Sequence, residues 1–182
     1  APRDHRAAGA PRRPPVLVPA VLGGAPPEAG EVGNIGLIEE GDIIEVDIRN
    51  RTINVALSDE VLAGRILEAV VAAVPLPVTL KMRLGWDHDS LNAPQLARIA
   101  EAAGIKMLTI HGRTRCQLYN GAADWRAVRA VKAATRLPVI VNGDIDSLEK
   151  VETALAESGA DGVMIGRGAC GKPWFLRQVM QY

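Results

Sequence analysis

Aromatic side chains are scarce, with one phenylalanine, two tyrosines and three tryptophans among 182 residues. Any core must therefore be built from Ala, Val, Leu and Ile. Cysteine is scarcer still. Cys116 and Cys170 lie far apart with no second thiol near either, which excludes a disulfide framework and a zinc site and predicts a reducing, cytoplasmic compartment. No apolar run approaches the ~20 residues a membrane span requires, so no membrane partner is expected. The N-terminus is Arg-rich, but its prolines break any amphipathic helix, which argues against a transit peptide. Net charge is missing as well, which argues against a strongly basic nucleic-acid module. That zero averages two unlike parts. Up to residue 60 there are 6 basic and 10 acidic side chains, and beyond it 15 and 11. The later part is thus the one suited to meeting phosphate.

What is present divides into three zones. Residues 1–22 are dense in Pro, Arg and Ala with no period, and read as disordered or extended. Residues 23–60 read as β-rich. Within them Asp42 to Ile48 and Thr52 to Leu57 are β-branched runs flanking the turn-prone Arg49-Asn50-Arg51, which predicts a hairpin. Gly36 and Gly41 bracket a short apolar piece, Ile35 to Ile38. From residue 61 onward helices and strands alternate. Ser58 is suited to cap a first helix, whose apolar positions recur at helical spacing until Pro75. A strand over Val78 to Met82 follows, then a helix capped by Asn92 with Pro94 in its first turn and Gly104 past its end. Lys106 to His111 is the next strand, followed by a helix capped by Asp124. Val139 to Asn142, a helix from Ser147 to Glu157 stopped at Gly159, the strand Gly162 to Ile165, and a last helix near Lys172-Pro173 complete the series. Short apolar strands separated by single helices predict an α/β fold with a parallel sheet. About four βα units are present, half of a (β/α)8 TIM barrel.

The polar residues of this series stand where each strand ends. They are Lys81 and Arg83, His111 and Arg113, Asn142 and Asp144, then Gly166 and Arg167. In parallel α/β barrels that end carries the active site. Asn142-Gly143-Asp144 and Gly166-Arg167-Gly168 are suited to a phosphate, because glycines let backbone N–H groups approach it and Arg167 adds a charge-assisted bond. Tight turns alone would also explain those glycines. Lys81 sits inside an apolar strand, where an uncompensated charge is costly, so it needs an anionic or electron-rich ligand, or else a structural ion pair. His111 is open to reading as a core histidine or as a ligand contact.

Four stretches together resemble the tRNA-dihydrouridine synthases. They are Lys81-Met82-Arg83, Thr109 to Thr114 with Tyr119-Asn120-Gly121, Pro138 to Asp144, and Met164 to Arg167. The likeness covers about residues 58–182 in order and spacing. It implies strands five to eight of a flavin mononucleotide barrel in an oxidoreductase. Lys81 and His111 would contact the isoalloxazine, while Asn142, Gly143, Asp144, Gly166 and Arg167 would line the ribityl and phosphate end. NADPH is the implied reductant and a uridine of tRNA the implied substrate. The family's proton donor is a cysteine in the loop after strand four. That loop would precede Ser58, where this sequence has no cysteine, and Cys116 and Cys170 lie in later loops. No catalytic residue is therefore assigned.

Residues of about 23–60 resemble a different family, the dihydroxy-acid dehydratases, in the C-terminal β-domain. The stretches concerned are Gly24 to Ala29, Ile35 to Ile38, Gly41 to Ile48 and Asn50 to Ile53. The chain then reads as a fusion of two fragments joined near Ser58-Asp59-Glu60. Two further functional readings stay open: a flavin- or phosphate-binding half barrel without catalysis, and a dehydratase-type lyase. Unpaired barrel edges also predict a homo-oligomer.

Overall fold

The computed structural model describes residues 42–47, 52–55 and 57–181. The Pro- and Arg-rich segment, the Ile35 to Ile38 piece and the turn at Arg49-Asn50-Arg51 lie outside the described residues. The chain forms two compact units, Ala1–Val55 and Ala56–Tyr182.

In the first unit, β1 (Ile44–Asp47) and β2 (Thr52–Val55) pair antiparallel, with Ile44 opposite Val55 and Asp47 opposite Thr52. The two β-branched runs thus meet as the expected hairpin strands.

The second unit begins with α1 (Asp59–Ala73). Ser58 caps it by accepting a hydrogen bond from the Val61 amide at 3.4 Å, and Asp59 and Glu60 complement the positive end of the helix dipole. There follow β3 (Thr79–Arg83), α2 (Ala93–Ala102), β4 (Met107–His111), α3 (Trp125–Ala134), β5 (Val139–Asn142), α4 (Leu148–Ser158), β6 (Gly162–Met164) and α5 (Trp174–Gln181). Asp124 and Ser147 cap α3 and α4 by accepting from the Ala127 and Lys150 amides. Gly159 ends α4 in the left-handed conformation at φ 65°, where a side chain would be strained. Asn92 behaves differently from its expected role. It makes no side-chain cap, and its Nδ2 instead donates to Glu60 Oε1 at 3.4 Å.

β3, β4, β5 and β6 form one parallel sheet in sequential order. The helices follow the same order, α1 against α2, α2 against α3 and α3 against α4. A doubly wound sheet would reverse its strand order and put helices on both faces. Sequential strands under one sequential helix layer are instead consecutive βα units of a (β/α)8 barrel, four of them here.

Register assigns the two faces of this sheet. Leu108, Ile110, Val139 and Val141 face the helices and are fully buried. They join Val128, Val131, Ala97 and Ala154 in one core, with Phe175 the one aromatic among its buried members. The sequence's poverty in aromatics is met by close packing of small and branched aliphatics. The other face carries two cross-strand rows: Lys81, Thr109, Ile140 and Gly162, then Arg83, His111, Asn142 and Met164. No helix among the described residues is long and apolar enough to cross a membrane.

Candidate functional site

The second of those rows opens into a depression of about 690 Å³ at the C-terminal ends of the strands. All seven residues expected to form a ligand site line it: Lys81, His111, Asn142, Gly143, Asp144, Gly166 and Arg167. Parallel strands in sequential order bring their ends to one edge of the sheet, which is why residues from 81 to 167 converge.

One wall is fixed by a buried arginine. The Arg113 side chain is 3% exposed and clamps Asp144 with two parallel bonds, Nη1 to Oδ1 at 2.9 Å and Nη2 to Oδ2 at 2.6 Å. The same guanidinium donates to the carbonyls of Asn120 and Gly121. The Ala123 amide donates to Asp144 Oδ2 at 2.8 Å. Partial burial alone would push the Asp144 carboxyl up. The Arg113 and Ala123 hydrogen bonds and the nearby cationic charges outweigh it and hold the group below its ordinary range. The Asp144 carboxylate is thereby committed to the scaffold, and its backbone sits in the left-handed region at φ 57°.

Gly143 (φ +121°) lies tightly against this wall. A side chain there would meet the Ala123 methyl at 2.8 Å and His111 Cε1 at 3.3 Å. Its carbonyl accepts from the Trp125 indole at 2.9 Å. Asn142 Nδ2 donates to the Met164 carbonyl at 2.8 Å, tying β5 to β6 and leaving the amide oxygen as its acceptor group. Across the cleft, a short 3-10 turn over Arg167–Ala169 follows β6. Gly168 packs so closely on the Ile145 carbonyl that no side chain fits, whereas a Cβ at Gly166 would meet nothing within 4 Å.

His111 is 8% exposed, and its buried Nδ1 has no hydrogen-bond partner among the described residues. Burial, reinforced by the positive charges of Arg83, Lys81 and Arg113, lowers its pKa to about 4. The imidazole is therefore neutral at pH 7 and able to donate from one nitrogen and accept at the other. Lys81 is exposed, on the sheet face opposite the helix layer, rather than enclosed in the apolar strand. Partial burial and the Arg83 charge lower its pKa. The expectation of a buried lysine fails because β3 alternates: Leu80 and Met82 pack on the core while Thr79, Lys81 and Arg83 share the other face.

The lining also includes Arg83, one of the polar strand-end residues of the sequence, together with Tyr119 and Lys150, which no site expectation named. Arg83 Nη1 donates to the carbonyls of Thr114 and Leu118 at 2.6 and 3.0 Å, pinning the loop that carries Tyr119. Leu118 holds φ 52° there, a strained conformation for a leucine. The Arg167 guanidinium lies 4.5 Å from the Tyr119 ring centroid and 3.9 Å from Asp144. Arg113 stands out in the sequence by its place after a strand, but nothing local marks Asp144, 31 residues away, as its partner. Cys116 and Cys170 are exposed free thiols, and no cluster of three or more His, Cys, Asp or Glu among the described residues could hold a metal.

The arrangement offers a cationic end at Lys81 and Arg83, a neutral imidazole beneath it, and a glycine-lined end flanked by Arg167 and Lys150. Such a cleft suits an elongated ligand with a polar ring system at one end and an anion at the other. Comparison with known proteins bears on the same segment. The Dihydrouridine synthase (Dus) family model matches residues 55–182. A probable tRNA-dihydrouridine synthase of Rickettsia conorii is 57% identical over 126 residues, 69% of this chain and 38% of that protein. One from Rhodobacter capsulatus is 64% identical over 117 residues, 64% of this chain and 36% of its own. The tRNA-dihydrouridine synthase B of Pseudomonas syringae is 52% identical over 126 residues, 69% and 37% of the two chains. The chain thus spans under two fifths of the length of these relatives. A second model, Dihydroxy-acid/6-phosphogluconate dehydratase C-terminal, matches residues 5–89.

Proposed function

Because the chain belongs to the dihydrouridine synthase family, we propose that its cleft binds flavin mononucleotide and serves the NADPH-dependent reduction of uridine to dihydrouridine in tRNA. The observation that carries this reading is the cleft itself. Four consecutive strands deliver Lys81, His111, Asn142 and Arg167 to one opening of about 690 Å³. The residues present fit the cofactor. His111 Nδ1 is a buried polar atom in need of a partner, and a side chain at Gly143 would strike Ala123 and crowd the imidazole.

Lys81 and His111 would face the isoalloxazine ring. Asn142, Gly143, Gly166 and Arg167 would hold the ribityl chain and phosphate. Asp144 contributes differently from a free carboxylate. With both oxygens engaged by Arg113, it shapes the wall. A bound flavin supplies hydride chemistry that no side chain can. The chain's own groups orient and polarise. Lys81 and Arg83 would place positive charge beside a ring that gains electron density on reduction. His111, neutral at pH 7, offers a hydrogen bond without adding a competing charge. A pyrimidine presented from tRNA must leave its stack, at a cost of about a few kcal/mol normally offset by stacking and edge contacts.

The match to the dehydratase model over residues 5–89 supports a fusion of two ancestries. That matched segment holds no cysteine, both thiols lying at 116 and 170, which favours the flavin reading over a cluster-dependent lyase. The test is the visible absorbance of the purified full chain, with any flavin released by denaturation and identified by chromatography. Flavin mononucleotide bound by the chain and lost in Lys81→Ala and Arg167→Ala supports the reading, and makes reduction of tRNA with NADPH the next assay. A chain that cannot be loaded with flavin sinks it.

A further inference from the structure

The anion end of the cleft contains three cations, and they are not equivalent. Arg113 is buried and bound on all sides to Asp144 and to the Asn120 and Gly121 carbonyls. It cannot turn toward a ligand without dismantling the wall. Arg167 is 68% exposed and rests against the Tyr119 ring. Lys150, in the first turn of α4, lines the same cleft, and its Nζ lies 2.9 Å from Asp146. That partnership is loose: the lysine is 44% and the aspartate 50% exposed, and the two are four residues apart. Exposed pairs of this kind contribute little, because water screens them and two side chains must be held still. Lys150 is therefore free to exchange Asp146 for a stronger anion.

A terminal phosphomonoester brings close to two negative charges at neutral pH, whereas a phosphodiester brings one. Asp144 already neutralises Arg113, so Arg167 alone would leave a dianion half compensated. We propose that Lys150 is the second phosphate cation of this cleft, leaving Asp146 when a terminal phosphate binds and selecting phosphomonoester ligands over uncharged or diester analogues. Nothing in the sequence motifs marks it, since it lies six residues past Asp144, in the first turn of α4. This role rests on the flavin mononucleotide reading for its natural ligand, although the chemistry extends to any terminal phosphate.

The experiment measures binding of flavin mononucleotide and of riboflavin to the full chain by flavin fluorescence, for the wild type, Lys150→Met and Lys150→Arg. Methionine keeps the length of the side chain and its helix preference while removing the charge. A parallel arm follows the melting temperature of each protein as inorganic phosphate is added. The expected result is a roughly tenfold loss of flavin mononucleotide affinity in Lys150→Met, the size of one charge-assisted hydrogen bond. Riboflavin affinity is unchanged, and Lys150→Arg retains most of the wild-type affinity. Equal flavin mononucleotide affinity in wild type and Lys150→Met overturns the proposal, as does an equal loss for riboflavin. Stabilisation by phosphate that Lys150→Met abolishes, in a chain that binds neither flavin, upholds the role of Lys150 and removes the flavin reading. A chain that responds to neither flavin nor phosphate overturns both.

Discussion

Successive residues of β4 and β5 live in two different media. Ile110 and Val141 point into the helix layer and are 0% exposed. Their neighbours His111 and Asn142 point the other way, into a cleft whose walls are hydrogen-bonded rather than packed. One face pools interchangeable aliphatic groups whose worth is the area they remove from water. The other holds groups whose positions are set individually by partners from distant parts of the chain. Changes on the first face should register in stability and changes on the second in ligand binding or pH response.

The sharpest contrast is within one strand. Ile110→Ala should destabilise the protein by about 4 kcal/mol, through lost burial and the cavity left behind. Urea unfolding would reveal this, and a loss under 1.5 kcal/mol would mean that the helix layer collapses to fill the gap. Arg113→Met breaks the comparison deliberately, since it belongs to the cleft yet should behave like a core residue. Removing it leaves Asp144 without its clamp and should cost about 3 kcal/mol, less if water reaches the carboxylate. The change should be seen together with loosened protection of amides in the Asn120 to Ala123 loop.

His111 gives a subtler signature. Its folded pKa is about 4 against an ordinary value of 6.5. Below 6.5 the unfolded chain takes up a proton that the folded one refuses. Stability therefore falls as pH drops from about 6.5 toward 4 and levels off beneath that. His111→Gln should flatten this segment of the curve while changing little at pH 7.5. An imidazole resonance titrating near 6.5 in the native protein would contradict the burial assigned to it. The smallest expected effect lies away from both faces. Asp124→Ala removes the cap that accepts from the Ala127 amide at 2.9 Å, and should cost about 1 kcal/mol with no change in ligand binding.

Local chemistry carried most of the architecture in readable form. Ser58, Asp124 and Ser147 announced helix starts because a side-chain oxygen meets an amide three residues on. Gly104 and Gly159 announced helix ends because they hold positive φ. Asn92 had the right chemistry and another fate, since Glu60 lies within its reach in the folded chain, 32 residues away in sequence. The stretch around Lys81 is largely apolar, yet Thr79, Lys81 and Arg83 alternate within it, and the lysine stands exposed. The strand ends pointed to the cleft, because topology alone brings them together. The Arg113–Asp144 clamp and the Arg83 tether to Leu118 were not legible. Each depends on which loops become neighbours, something no short stretch encodes.

The Arg113 clamp has a thermodynamic consequence. Because one guanidinium fixes Asp144 and the Asn120 and Gly121 carbonyls together, the loop between β4 and α3 is ordered when the chain folds. The entropy lost in ordering it belongs to folding and not to association, so an incoming anion meets a preorganised wall. Capture at this end of the cleft should then carry a small heat-capacity change, the calorimetric mark of a rigid receptor rather than of a loop that folds around its guest.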